Sequence, residues 1–358
     1  MTRFDPVRRR FLATGAAAAA GWAVAGVFPL GRAGAASGPT PASQPGALPA
    51  TPPTTKESTV RSVQQLTQAQ PTMEGAGVHL HRAFGFGNTD VTDPFLLFDD
   101  FRNDEPWKYE KGFPWHPHRG IETITYVLAG TVDHADSLGN SGSLGAGDVQ
   151  WMTAGSGILH QEMPHGDAKG RMHGFQLWAN LPRDLKMTAP RYQDVEAKDI
   201  PVVTEDDGTA VRVVCGDFWG QRGPVDGIAA QPRYLDVSLP ANTRRALPVE
   251  TTRHAFAYVF EGAARFRDAS EPRDVRVEDP NDHGRAMTEY AGNRSLVLFD
   301  RGDEIVVEAG EEGARFLLVS GEPIREPVAW RGPVVMNTEA ELDQAWKELR
   351  EGTFIRGQ

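Results

Sequence analysis

From Val78 onward the chain is punctuated into short apolar runs that are too brief for helices and too regularly spaced for loops. VHLHRAF, FLLFDDF, IETITYVLAG, GDVQWMTAG and HGFQLWANL lie before about Pro190. AVRVVCG, RYLDVSLP, HAFAYVFEG, SLVLFD, DEIVVEAG and RFLLVSGEP follow from about Ile200. Runs of this length between turn signals are strands of a sandwich or barrel. The 38 glycines and 26 prolines supply the turns and leave little room for long helices. With 358 residues the chain is long enough for two domains, each with its own core. The two blocks echo one another: YVLAGTV answers YVFEGAARF, and GAGDVQWMTAG answers RGDEIVVEAG. The fold class is all-β, with two tandem barrels spanning 59–195 and 196–335. A C-terminal helix and tail occupy 336–358, where Thr338 and Glu341 form a capping box ahead of the stripe Leu342, Ala345, Trp346 and Leu349. That stripe is expected to dock on a barrel.

The opening MTRFDPVRRRFLATG carries Arg8, Arg9, Phe11 and Leu12 in the order of a twin-arginine export signal, with Val7 where Ser or Thr is usual. An Ala/Gly-rich stretch and the small residues Ala33-Gly34-Ala35 complete a cleavable signal over residues 1–35. Residues 36–58 are rich in Pro, Ser, Thr and Ala and read as a flexible tether. The expected location is periplasmic or secreted, with no stable membrane insertion after signal cleavage and a monomeric state. Removing residues 1–35, which hold five arginines and one aspartate, takes the net charge from −11 to −15. So acidic a chain is not built to neutralise a phosphate backbone, and no nucleic-acid partner is expected. Cys215 is the lone cysteine, so no intrachain disulfide forms; in VRVVCG it reads as a small core residue.

The chemistry concentrates in two short patterns. FPWHPHRG holds His116 and His118, and ILHQEMP holds His160 and Glu162. Residues i and i+2 of a strand face the same way, so each pair can enter one barrel interior. On neighbouring strands they make a site of three imidazoles and one carboxylate. Such a set suits a divalent first-row metal with positions left for water, O2 or substrate. Glu122 competes for the carboxylate position on spacing alone, and at this level the choice stays open. His79 and His81 read as strand polar positions, and His134 as an exposed turn residue, with a place beside the ligands or the pocket as its alternative. His165, His173, His254 and His283 are given structural roles. Phe113, Trp115 and Trp151 are near enough in sequence to stack on a substrate, with core packing the expected role of each.

HPHRG-x-E-T, GDVQWMTAGSGILHQEMP, GEPIREPV, GPVVMNT and DPFLLFDDF together resemble the pirin family of the cupin superfamily over about residues 60–350. The resemblance implies two stacked cupin barrels with metal in the first only. It places the ligands at His116, His118, His160 and Glu162, favouring Glu162 over Glu122. It also implies one divalent metal, Fe(II) most typically, with Mn, Ni, Cu, Co or Zn as substitutes. The activity implied is a quercetin 2,3-dioxygenase acting on a flavonol or related phenolic substrate with O2. The metal would polarise the deprotonated 3-hydroxyl, and ring cleavage would release carbon monoxide and a depside. Glu162 would be ligand and general base in turn. Two rival readings are a metal or redox sensor without turnover, as for nuclear pirins, and a cupin enzyme with another metal and small organic substrate. Arg253-His254-Ala255 replaces the histidine pair in the second block, so that barrel is expected to hold no metal. Pro164 stands where other cupins often carry Asn, and the export signal separates this chain from nuclear pirins.

Overall fold

The computed structural model describes residues 58–278 and 290–356; the expected export signal, most of the expected tether and His283 lie outside them. In IETITYV every residue is buried, which marks a strand covered on both faces. One face, with Thr123, Thr125 and Val127, looks into the first barrel. The other, with Glu122, Ile124 and Tyr126, looks at the second.

The first barrel pairs a seven-stranded sheet with a four-stranded one. In spatial order the larger sheet runs Arg191–Val195, Val149–Thr153, Ile121–Ala129, His173–Asn180, Phe95–Asp100, Val78–Phe84 and Gln70–Glu74. The smaller runs Phe113–His118, Ile158–His165, Thr131–Asp136 and Ser141–Leu144. Val132 and Leu144 of the small sheet pack against Val78, Leu80 and Val127 of the large one, closing the sandwich.

The second barrel is one nine-stranded sheet that curls on itself. Its two longest strands, His254–Arg267 and Glu304–Gly321, change register near Gly262. There a Cβ would meet the Gly313 carbonyl at 2.1 Å, and φ is +62°. Only glycine fits that bend. Val213, Leu235, Val237, Ala257, Val259 and Phe316 pack into its apolar interior. Between the barrels Phe98, Tyr126, Trp151 and Phe175 meet Tyr234, Phe256, Tyr258 and Phe260 in a shared core.

The chain ends cross over. Val63–Gln68, counted with the first barrel on sequence order, is hydrogen-bonded in the second sheet beside Ser295–Phe299. In return, the hairpin Ala329–Arg331/Val334–Met336 and the helix Glu339–Glu351 pack on the first barrel through Leu159. Sequence order alone could not place these segments, because the partners that bury their apolar faces lie far away in the chain. The helix begins at the expected capping box, with both reciprocal bonds of Thr338 and Glu341 formed, and ends at Gly352. Leu342 and Ala345 are fully buried, while Trp346 and Leu349 are half-buried. No helix among the described residues is long and apolar enough to cross a membrane.

Candidate metal centre

Phe113–His118 and Ile158–His165 are antiparallel neighbours in which His116 lies opposite His160 and His118 opposite Ile158. The expected convergence follows: His116 Nε2 lies 3.0 Å from His118 Nε2 and 2.9 Å from His160 Nε2. The far nitrogens of two rings are tied to backbone carbonyls, His116 Nδ1 at 2.9 Å from Pro114 O and His118 Nδ1 at 3.3 Å from Pro333 O. A ring that donates from Nδ1 presents a bare lone pair at Nε2. Burial, and then the neighbouring imidazoles, hold His118 and His160 well below the usual histidine range, so both are neutral. Lone pairs aimed at one point repel unless a cation sits between them. This donor set therefore fits a metal ion, and it is the one such group of three among the described residues.

Glu162 Oε2 lies 3.9 Å from His160 Nε2, and its Oε1 is 3.1 Å from the Thr125 hydroxyl. Burial pushes its carboxyl above the usual carboxylate range, against the pull of His116 and Thr125. Glu122 faces the other way. Thr125 points at Glu162, so the alternate residues Glu122, Ile124 and Tyr126 point at the seam between the barrels. There Glu122 accepts a 2.7 Å bond from Thr153, and burial raises it to about 7. The sequence spacing that made Glu122 a competitor is overruled by strand parity.

The site opens into a cavity of about 460 Å³ whose walls include Leu80, Leu97, Phe101, Phe113, Gln176 and Trp178. Of the three aromatics considered as stacking groups, Phe113 lines this cavity. Trp151 is in the inter-barrel core, and Trp115 is 52% exposed. His134, expected in an exposed turn, is instead buried on Thr131–Asp136 directly opposite Glu162; the turn begins only at Ser137. His79 and His81 sit on Val78–Phe84, and His165 and His173 pair with Asp133 and Asp104 at the surface. Cys215 is buried and its thiol pushed up to about 12 by desolvation, which leaves it inert.

Sequence reasoning missed three parts of this site. Arg82 and Asp99 form a bidentate pair on the cavity wall at 2.8 and 2.7 Å, and Asp99 is raised to about 6 by burial despite that partner. The signal was a carboxylate in the apolar run FLLFDDF. Gln176 and the Pro333 carbonyl carried no comparable signal.

Fold and site together define a two-barrel cupin protein with an open three-histidine centre in one barrel. The chain belongs to the pirin family. The Pirin model matches residues 77–179, and the Pirin C-terminal cupin domain matches residues 234–355. A pirin-like protein of Caulobacter vibrioides is 45% identical over 296 residues, covering 82% of this chain and 99% of that one. The crystal structure of a quercetin 2,3-dioxygenase from Acinetobacter baumannii superposes with a TM-score of 0.71 at 30% identity, covering 82% of this chain and 98% of its own. A bacterial pirin from Escherichia coli in complex with nickel(II) shares the fold, with a TM-score of 0.54, at 19% identity over 72% of this chain and 98% of that one.

Proposed function

We propose that this protein is a metal-dependent dioxygenase of the quercetinase type, taking a flavonol or related phenolic substrate and O2. The observation that carries the reading is the convergence of three imidazole nitrogens, 2.9 and 3.0 Å apart, beside a 460 Å³ cavity with largely apolar walls. The similarity to a protein named as quercetin 2,3-dioxygenase supplies the substrate class.

His116, His118 and His160 would hold the metal, with Glu162 as the fourth ligand. Fe(II) is the proposed ion, and bound there it would supply Lewis-acid and one-electron chemistry. Glu162 is placed to take the substrate's hydroxyl proton, because desolvation has made its carboxylate a stronger base than one in water. Thr125 fixes that carboxylate from the opposite sheet. Leu80, Leu97 and Phe101 exclude water and offer flat apolar walls to an aromatic ring. Export by the twin-arginine route, which carries proteins already folded, belongs to the same proposal and gives a periplasmic site of action. Secretion unaffected by Arg8→Lys with Arg9→Lys would refute that part.

Elemental analysis of the purified protein, paired with oxygen uptake on adding quercetin, tests the reading. About one metal per chain with uptake and carbon monoxide release supports it; metal without uptake refutes the substrate. His160→Ala is expected to weaken metal retention more than about a hundredfold, the upper end for an outer-shell partner. Glu162→Ala should abolish turnover, and a fully active Glu162→Ala protein would remove the carboxylate from the mechanism.

A further inference from the structure

The C-terminal segment that crosses from the second barrel reaches the metal centre itself, and one buried cation pins it there. Pro333 supplies the carbonyl that faces His118 Nδ1 at 3.3 Å. Two residues on, the Val335 amide donates to Arg119 O at 3.1 Å, and the Val335 carbonyl accepts from Lys186 Nζ at 3.0 Å. Lys186 also donates to Gly120 O at 3.0 Å and Asn180 Oδ1 at 2.8 Å. Its three partners are all neutral oxygens. Only 1% of Lys186 is exposed, so an ammonium is held out of water without an anion against it. That arrangement is costly, and burial accordingly lowers its pKa to about 7.

The surroundings are built for the same contact. Gly120, at φ +77°, lies so close to the segment that a Cβ would stand 1.9 Å from Val335 O. Arg119, equally buried, donates to Ser156 O at 2.7 Å, Phe354 O at 2.8 Å and Glu348 Oε2 at 2.7 Å. The chain from His118 to Gly120 and the chain from Pro333 to Val335 are thus locked side by side, with Lys186 bridging the two backbones.

We infer that Lys186 is a positioning residue for the metal centre: by clamping Val335 to Gly120 it holds the Pro333 carbonyl against His118 and so fixes the tautomer and direction of that ligand. This rests on the reading of the three histidines as ligands. A carbonyl that receives the far N–H of a ligating imidazole orients the ring and raises its basicity, which is why such partners govern metal affinity. The clamp also makes the first barrel's site depend on a segment contributed from beyond the second barrel.

Cobalt(II) loading of the full chain provides the test, because its visible bands report ligand geometry independently of any turnover. Lys186→Met keeps the length and removes the charge. It should lose cobalt about tenfold faster under chelator challenge and show shifted bands, while far-UV circular dichroism stays native. A folded Lys186→Met protein with native bands and native cobalt loss overturns the clamp. Should that variant fail to fold, Asn180→Ala removes one of the three oxygens that hold the Lys186 ammonium and is expected to speed cobalt loss about two- to threefold. Native behaviour there overturns the proposal equally. Failure of the native protein to bind cobalt overturns the metal reading, and the clamp with it.

Discussion

The two barrels carry matching three-strand rows at corresponding positions, alike in the tyrosine and aspartate of one face and different throughout the other. In the first barrel Tyr126, Phe175 and Asp100 lie side by side across three strands; in the second, Tyr258, Leu317 and Asp236 do. These rows face the seam, and each tyrosine donates to the other barrel's aspartate, Tyr126 to Asp236 at 2.7 Å and Tyr258 to Asp100 at 2.8 Å. Each aspartate is in turn held by an arginine, Arg315 or Arg102. One residue along, the rows turn inward and part company. Thr125, Gln176 and Asp99 line the first barrel where Ala257, Leu318 and Leu235 fill the second. The seam is constrained alike on both sides because each barrel buries that face on its counterpart. The interiors are free to diverge, so one became a site and the other a plug of packed side chains.

The largest break in this comparison comes from giving the packed barrel a residue of the hollow one. Leu318→Gln places an amide among Val237, Ala257 and Phe316, with no cavity to receive it. The cost should be on the order of 4 kcal/mol, from lost packing and an unsatisfied polar group. Urea unfolding would read it, and a loss below about 1 kcal/mol would mean that the second interior is not close-packed.

Glu122 sharpens the comparison from the seam. Its carboxyl is raised from 4.5 to about 7, so folding is opposed by its ionisation. The penalty is absent below the unfolded value, grows as pH rises through 4.5 to 7, and is complete above it. Glu122→Gln should therefore stabilise the protein by about 3 kcal/mol at pH 8 and by almost nothing at pH 4. Melting curves at both pH values decide it. A constant offset would show that the carboxyl is not desolvated, and loss of metal in this variant would reinstate Glu122 as a ligand.

The crossed tyrosines provide a smaller and more symmetrical test. Tyr126→Phe and Tyr258→Phe each remove one donor from a buried carboxylate, at about 1–3 kcal/mol. Near-equal losses in thermal unfolding are expected. If one is silent, the two halves of the seam are not equivalent.

How far the sequence could be read follows from the same geometry. The histidine pairs were visible because i, i+2 spacing survives in any strand, and the YVLAG/YVFEG echo marked the seam tyrosines. Glu122 and Glu162 could not be separated by counting, since Arg119-Gly120 ends one strand and restarts the face parity of the next. His134 was misplaced because VDHAD resembles the turn it precedes; only pairing with the Glu162 strand buries it. The contact between His118 and Pro333 spans 215 residues. Neither the crossing of the chain ends nor the Lys186 clamp leaves any local pattern, because each depends on where distant segments come to rest.

Gln176→Leu is the inverse exchange, and the smallest in its effect on stability. Gln176 borders the cavity and its Oε1 takes the Thr125 hydroxyl at 2.6 Å, so replacing it leaves that hydroxyl free to turn wholly to Glu162 Oε1, 3.1 Å away. A leucine there loses one hydrogen bond and gains apolar contact with the cavity wall, terms of about 1 kcal/mol that oppose each other. The unfolding midpoint should barely move. Metal content should stay native, because the three imidazoles are untouched. Substrate binding should weaken, because the cavity loses a polar group that a phenolic hydroxyl could meet. A variant that sheds its metal instead would show that the polar row holds the histidines in place. The hollow interior would then be a support for the metal rather than a chamber for the substrate.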